Sequence, residues 1–179
     1  MPNWCQNEVT VIASDREQAE AFVNFIKYEQ NYFSFDRVIP MPDDLKGTRS
    51  PATIVSQEEY DKWLEDSNPN IKRYLKPITQ EMSDRFKKEY GCDNWYDWTN
   101  KNWGTKWDTD CGEIDIDDFG RVEYKFDTAW GPPKPIYKAL RELFPKLEIS
   151  WFYREDGMQV AGWLKDEDLY YRSDYFMSR

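Results

Sequence analysis

Histidine does not occur anywhere in the sequence. Its absence removes the commonest general base, the usual partner of a nucleophilic serine or cysteine, and the commonest transition-metal ligand. Cysteine is nearly as scarce. Cys5, Cys92 and Cys111 are the only three, and no two of them stand in a Cys-x-x-Cys pair. That argues against a zinc site and a disulfide framework and favours a reducing cytoplasm. Neither a Gly-x-Ser-x-Gly string nor a Gly-x-x-x-x-Gly-Lys phosphate loop occurs, so hydrolase and nucleotide-hydrolysing readings lose their usual support. No window reaches the roughly 18 apolar residues of a membrane span. The start, Met1-Pro2-Asn3-Trp4-Cys5, lacks the basic and then apolar segments of a signal peptide. Neither a cofactor nor a metal is expected, and the chain is expected to be no enzyme.

Rings and acid fill the space left by these absences. The 179 residues include 9 Trp, 12 Tyr and 10 Phe, so rings carry an unusual share of the apolar area. Thirty-four acids against 24 bases give a formal net charge of −10. A field of that sign repels phosphate backbones and anionic lipid heads. Nucleic acid is disfavoured as a partner, although a local basic groove could survive, and no membrane partner is expected.

Periodicity organises the chain around an α+β design. Val9, Val11 and Ala13 alternate with Thr10 and Ile12, which predicts a first strand over 8–13. Ser14-Asp15-Arg16-Glu17 has the form of a capping box, and Ala19, Phe22, Val23 and Ile26 follow at helical spacing. Phe33, Phe35 and Ile39 suggest a second strand over 33–39. From Met41 the pattern turns helical: a capping box at Ser56–Glu59 precedes Tyr60, Trp63 and Leu64. Asn68-Pro69-Asn70 breaks that helix, and Ile71, Tyr74 and Leu75 suggest a further turn or two. Thr79 and Gly91 then bracket a helix with Met82, Phe86 and Tyr90 on one face. Ile114 and Ile116, then Val122, Tyr124 and Phe126, alternate with charges across Asp118-Phe119-Gly120, the pattern of a hairpin. A helix follows Gly131-Pro132-Pro133, with Ile136, Ala139, Leu140, Leu143 and Phe144 as its stripe. Leu147, Ile149, Trp151 and Tyr153 set the next strand, and Met158 to Leu164 the last.

These elements predict a ferredoxin-like antiparallel sheet with two helices packed on one face and a helical insertion. The expected divisions are 1–40 for the first part of the domain, 41–110 for the insertion and 111–179 for the second part, folded as one compact unit.

The oddest stretch is Asn102-Trp103-Gly104-Thr105-Lys106-Trp107-Asp108, with Trp95, Trp98 and Trp130 near it in sequence. Two readings compete for it. Trp103, Trp107 and Trp130 could pack between the insertion and the sheet, with Asn102 and Thr105 satisfying turn amides; packing is favoured because large rings are mostly buried. Alternatively, Trp103, Lys106 and Trp107 line a groove for a partner peptide or an unpaired base. Asn102, Trp103, Thr105, Lys106, Trp107 and Trp130 are therefore the candidate binding residues, and no catalytic or metal-binding residue is nominated. Six carboxylates lie between Asp108 and Asp118, but their register fails for a calcium loop. Asp115 and Asp117 alternate with isoleucines as on a wet strand face. The most basic region is the insertion, with Lys72, Arg73, Lys76, Arg85, Lys87 and Lys88. A solvated helix face accounts for it, and it is the first place to look for nucleic-acid contact.

Several strings resemble one family. Met1-Pro2-Asn3-Trp4-Cys5-Gln6-Asn7, Asn102-Trp103-Gly104-Thr105-Lys106-Trp107, Phe126-Asp127-Thr128-Ala129-Trp130-Gly131-Pro132-Pro133, and Tyr153-Arg154-Glu155 with Gly157 are similar to those of the YubB-like family. Its members are small proteins of bacteria, plasmids and phages with a ferredoxin-like domain and no established activity. The resemblance spans nearly the whole chain. It implies the fold and a bacterial or mobile-element origin, and it implies no iron–sulfur cluster, since three scattered thiols cannot supply the four usual ligands. The functional expectation is a cytoplasmic accessory protein that binds a host or phage protein. Single-stranded nucleic-acid binding through the sheet or the aromatic loop is the alternative, and a histidine-free carboxylate enzyme stands behind both. An exposed sheet edge could also pair two copies.

Overall fold

The structure, a computed structural model, describes residues 3–66 and 76–165. The break at Asn68-Pro69-Asn70, the helical turn at Ile71, Tyr74 and Leu75, and the tail after Lys165 lie outside the described residues. The chain divides into two compact units, Met1–Pro40 with Trp103–Arg179, and Met41–Asn102. Residues 103–110, grouped with the insertion on sequence, belong to the sheet unit.

The sheet unit starts with β1 (Trp4–Ile12), four residues earlier than the alternation of valines suggests. Cys5, Asn7, Val9 and Val11 point inward and are buried, while Trp4, Gln6, Glu8 and Ile12 are exposed. Helix α1 (Arg16–Ile26) buries Ala19, Phe22, Val23 and Ile26, as their spacing predicts. Its cap is one residue later than expected. The Asp15 carboxylate accepts from the Gln18 N–H at 2.8 Å, and the Gln18 side chain returns to the Ser14 N–H at 2.8 Å.

The strand expected over 33–39 is not formed. Ser34 caps a single helical turn, α2 (Phe35–Val38), because the Asp108 carboxylate takes up the amides at its start. Phe33 and Phe35 alternate as in a strand, yet both are driven into a cluster of rings with Phe126. Burial satisfies that alternation without strand pairing.

The second unit contains β2 (Ile54–Val55), α3 (Gln57–Glu65), β3 (Ile78–Thr79), α4 (Gln80–Tyr90) and α5 (Trp95–Asn102). Strands β2 and β3 pair in parallel. Ser56 and Glu59 form the expected capping box. The Thr79 hydroxyl caps α4, and Gly91 ends it in the left-handed region at φ 80°. Helix α5 has no counterpart in the sequence reading; its only two buried residues, Trp98 and Thr99, are adjacent and set no period. Much of the insertion's positive charge is spoken for. Lys76 donates to the Asp44 carbonyl, Arg85 meets the Asp44 carboxylate at 3.3 Å, and Lys87 meets Asp93 at 2.9 Å.

The chain then returns to the sheet with β4 (Ile114–Ile116) and β5 (Arg121–Ala129), the expected hairpin. Helix α6 (Lys134–Leu143) buries Ile136, Tyr137 and Leu140. Strands β6 (Glu148–Glu155) and β7 (Val160–Trp163) complete the order β4-β5-β1-β6-β7, with every neighbouring pair antiparallel. The second strand of the ferredoxin-like pattern is thus β4, placed beyond the second unit. On the inner face Phe22 of α1 meets Tyr124, and Tyr137 of α6 meets Trp151, both edge to face. This is the ferredoxin-like α+β arrangement with two helices on one side.

The inner face holds one buried polar knot. Asn7, 1% exposed, donates to the Cys5 carbonyl at 2.9 Å and to Thr128 Oγ1 at 2.8 Å, and accepts the Trp151 indole N–H at 3.0 Å. It joins β1, β5 and β6 through a single side chain. Such a group is tolerated in a core because its donors and acceptor are matched.

Candidate functional site

The segment 103–110 buries Trp103, Thr105 and Thr109 and leaves Trp107 and Asp110 exposed. Trp103 is only 3% exposed. Its indole N–H donates to the Ile39 carbonyl at 2.9 Å, and its ring meets Phe35 edge to face. Thr105 is equally internal: its hydroxyl accepts the Ala129 N–H at 3.0 Å and lies 3.3 Å from the Ala129 carbonyl. Trp103 fastens the segment to Phe35 and Ile39 and Thr105 fastens it to the end of β5, which is the packing role.

Asp108 completes the anchorage. Its carboxylate accepts from the Phe35 N–H at 2.6 Å, the Ser34 hydroxyl at 2.7 Å and the Thr109 N–H at 2.8 Å. Burial pushes its carboxyl above the ordinary value, against the pull of those donors. The arrangement fits a structural carboxylate that starts α2.

Trp107 turns the other way. It is 41% exposed and sits beside Trp4 of β1, itself 49% exposed, with ring centroids 6.0 Å apart and a 30° tilt. The Lys106 ammonium lies 4.2 Å from the centre of the Trp107 ring. Below the two rings opens a groove of about 750 Å³, walled by Asp108 and Asp110 from the loop and by residues 125–129 of β5. Lys125 and Asp127 stand on the exposed phase of that strand. The groove therefore combines two open indoles, the carboxylates of Asp108, Asp110 and Asp127, Lys125 on its wall and Lys106 over one ring. Its chemistry suits recognition: aromatic area for contact, charge for orientation.

The six residues nominated on sequence are not brought to one place. Trp107 lines the groove and Lys106 lies over its ring. Trp103 and Thr105 are internal. Asn102 ends α5 in the second unit, where its side-chain amide donates to the Trp98 carbonyl at 2.9 Å. Trp130 is 41% exposed with φ 66°, does not line the groove, and ties its N–H to the Asn3 carbonyl at 2.8 Å. Sequence reasoning nominated none of Trp4, Asp110, Lys125 and Asp127: it favours Trp4 as a pin of the N-terminus to the sheet edge and counts Asp110 among the six carboxylates of the loop and hairpin. A signal for Trp4 exists: it falls on the polar phase of β1, in step with Gln6 and Glu8, where an indole has no core to enter. Lys125 and Asp127 are neighbours on the exposed phase of β5, the β1–β5 register brings Trp4 beside them by pairing it with Ala129, and Asp110 comes from the loop.

Residues 102–168 match the family model described as the ferredoxin-like domain in Api92-like protein. Over that span the chain is similar to this uncharacterised family, and the match covers β4 through β7 together with the whole of the 103–110 segment. No curated protein matches the chain. Among solved structures, protein api92 from Yersinia pseudotuberculosis is 12% identical, with 91% of this chain and 93% of that chain covered and a TM-score of 0.48. Among the described residues no cluster of carboxylates and thiols could hold a metal ion, and no helix is long and apolar enough to cross a membrane.

Proposed function

We propose that this protein is a non-catalytic binding protein that grips another protein through the groove at Trp4 and Trp107. It acts in the cytoplasm of a bacterium, on behalf of the cell or of a plasmid or phage. The observation that carries this reading is the pair of open indoles at the groove, in a unit that buries Trp103 and Trp151 almost completely. Tryptophan is among the preferred anchors of protein interfaces, since one ring covers much area at little cost in side-chain freedom. Three buried, unpaired cysteines support a reducing compartment.

Nucleic acid fits the same surface less well. The outward phase of the sheet does carry a Phe152–Trp163 ring pair at 5.2 Å, next to Arg154. Arg154, however, is held by Asp156 at 3.0 Å, and the same face presents Glu8, Asp127 and Glu148. A phosphate backbone would meet more carboxylate than base there.

A photo-crosslinking amino acid at position 107, with position 142 on the exposed side of α6 as control, tests the proposal in producing cells. Protein adducts specific to position 107 are expected. Nuclease-sensitive adducts at 107, or the same adducts from both positions, would overturn it.

A further inference from the structure

We infer that the groove selects a cationic side chain, and that a partner's arginine lies against Trp4 with its guanidinium facing Asp110 and Asp127. The inference rests on the protein-binding reading above and narrows it to one chemistry.

Three observations converge on arginine. The first is the Lys106 ammonium, already 4.2 Å from the Trp107 ring centre. The chain itself places a cation on this aromatic shelf, where the negative face of an indole attracts one. The second is the spacing of the rings. With centroids 6.0 Å apart, Trp4 and Trp107 are partners of each other, and a flat group must lie across them instead of sliding between them. That arrangement disfavours an intercalated base and suits a planar guanidinium stacked on the half-exposed Trp4.

The third is charge. Asp108, Asp110 and Asp127 line the groove together with Lys125, and Lys106 lies over the Trp107 ring beside them. Asp108 is occupied with the start of α2. Among the described residues Asp110 and Asp127 make no ion pair, and they approach from different elements, one from the loop and one from β5. A guanidinium offers donors in a rigid fork to carboxylates while its flat face stacks on a ring; a lysine ammonium does only the first, as a point charge. The net −10 of the chain adds long-range attraction for a basic segment.

The test uses the full chain labelled with 5-fluorotryptophan, followed by fluorine NMR, with Trp4→Phe, Trp103→Phe, Trp107→Phe and Trp151→Phe assigning four of the nine signals. The probes are a capped glycine–arginine–glycine tripeptide, its citrulline analogue, its glutamate analogue and an oligothymidine. Citrulline keeps the shape of arginine and removes the charge. Saturable shifts of the Trp4 and Trp107 signals by the arginine peptide are expected, with the Trp103 and Trp151 signals unmoved. Citrulline should bind about fivefold or more weakly, and Asp110→Asn and Asp127→Asn should each weaken arginine binding about two- to fivefold. Both substitutions are at exposed positions, and unmoved Trp103 and Trp151 signals certify the fold. Equal binding of arginine and citrulline, silence of both indoles, or a stronger response to oligothymidine would overturn the inference. Protein adducts at position 107 with a silent arginine peptide would remove the cation selectivity and leave protein binding standing; absence of both would remove the two together.

Discussion

Replacing Asn7 by alanine is the sharpest test of how the sheet is held. In the native protein this amide satisfies the buried Trp151 indole N–H at 3.0 Å and joins Thr128 at 2.8 Å. Thr128 keeps an acceptor in the Gly131 carbonyl at 2.8 Å, so the indole N–H is the principal orphan. An unmatched buried donor costs about 1–3 kcal/mol, and the small void left by the amide adds roughly 1 kcal/mol. Asn7→Ala should therefore lose about 2–4 kcal/mol, or roughly 5–15 °C in midpoint for a chain of this size. Urea unfolding followed by circular dichroism measures it. Trp151→Phe removes the donor, so the two substitutions should be non-additive, with a coupling of about 1–2 kcal/mol. Asn7→Asp adds a pH dependence. A carboxylate there would accept the indole N–H but face the Cys5 carbonyl with no donor to offer. Burial would raise its folded pKa, so that variant's stability should fall as pH rises through that value. An Asn7→Ala protein within about 0.5 kcal/mol of wild type, or strict additivity with Trp151→Phe, would refute the reasoning.

The two indoles of the 103–107 segment should respond oppositely to truncation: Trp103→Ala should cost about 3–5 kcal/mol in thermal or denaturant unfolding, while Trp107→Ala should stay within about 0.5 kcal/mol. Gly120→Ala should destabilise by about 1–3 kcal/mol in the same assay. Its φ is +90° and an added Cβ would sit 2.6 Å from the Asp15 carbonyl oxygen, backbone that cannot swing aside. The thiols should be inert in the native state: burial pushes Cys5 up to about 11, leaving about one thiolate in a thousand at pH 8. Mass spectrometry after iodoacetamide should find no label on Cys5, Cys92 or Cys111 until denaturant is added.

The sequence exposes this fold where periodicity and burial coincide. Alternation in β5 and β6 and the helical stripe of α1 are direct consequences of one buried face, so they read correctly; in α6 the stripe holds at Ile136 and Leu140 and fails at Leu143, which is exposed, with Tyr137 buried instead. Phe33 and Phe35 mislead because alternation reports burial, not pairing; what turns the chain there is Asp108, more than seventy residues later in sequence. Helix α5 is hidden because only the adjacent Trp98 and Thr99 are buried along it. The groove was half legible. The 103–107 loop announces itself by composition, but whether each ring turns in or out depends on contacts with Ile39, Phe35 and Trp4. Those contacts join residues about 60 to 100 positions apart in sequence, which no local pattern reports.

Hydroxyl-radical footprinting with residue-level mass spectrometry, on the purified protein and inside producing cells, tests the division of the loop most directly. In the purified protein Trp4 and Trp107 should oxidise rapidly and Trp103 and Trp151 slowly. In cells a bound protein should shield Trp4 and Trp107 while Phe119, 85% exposed, oxidises as before. Equal oxidation of Trp103 and Trp107 in isolation, or unshielded Trp4 and Trp107 in cells, would contradict the account.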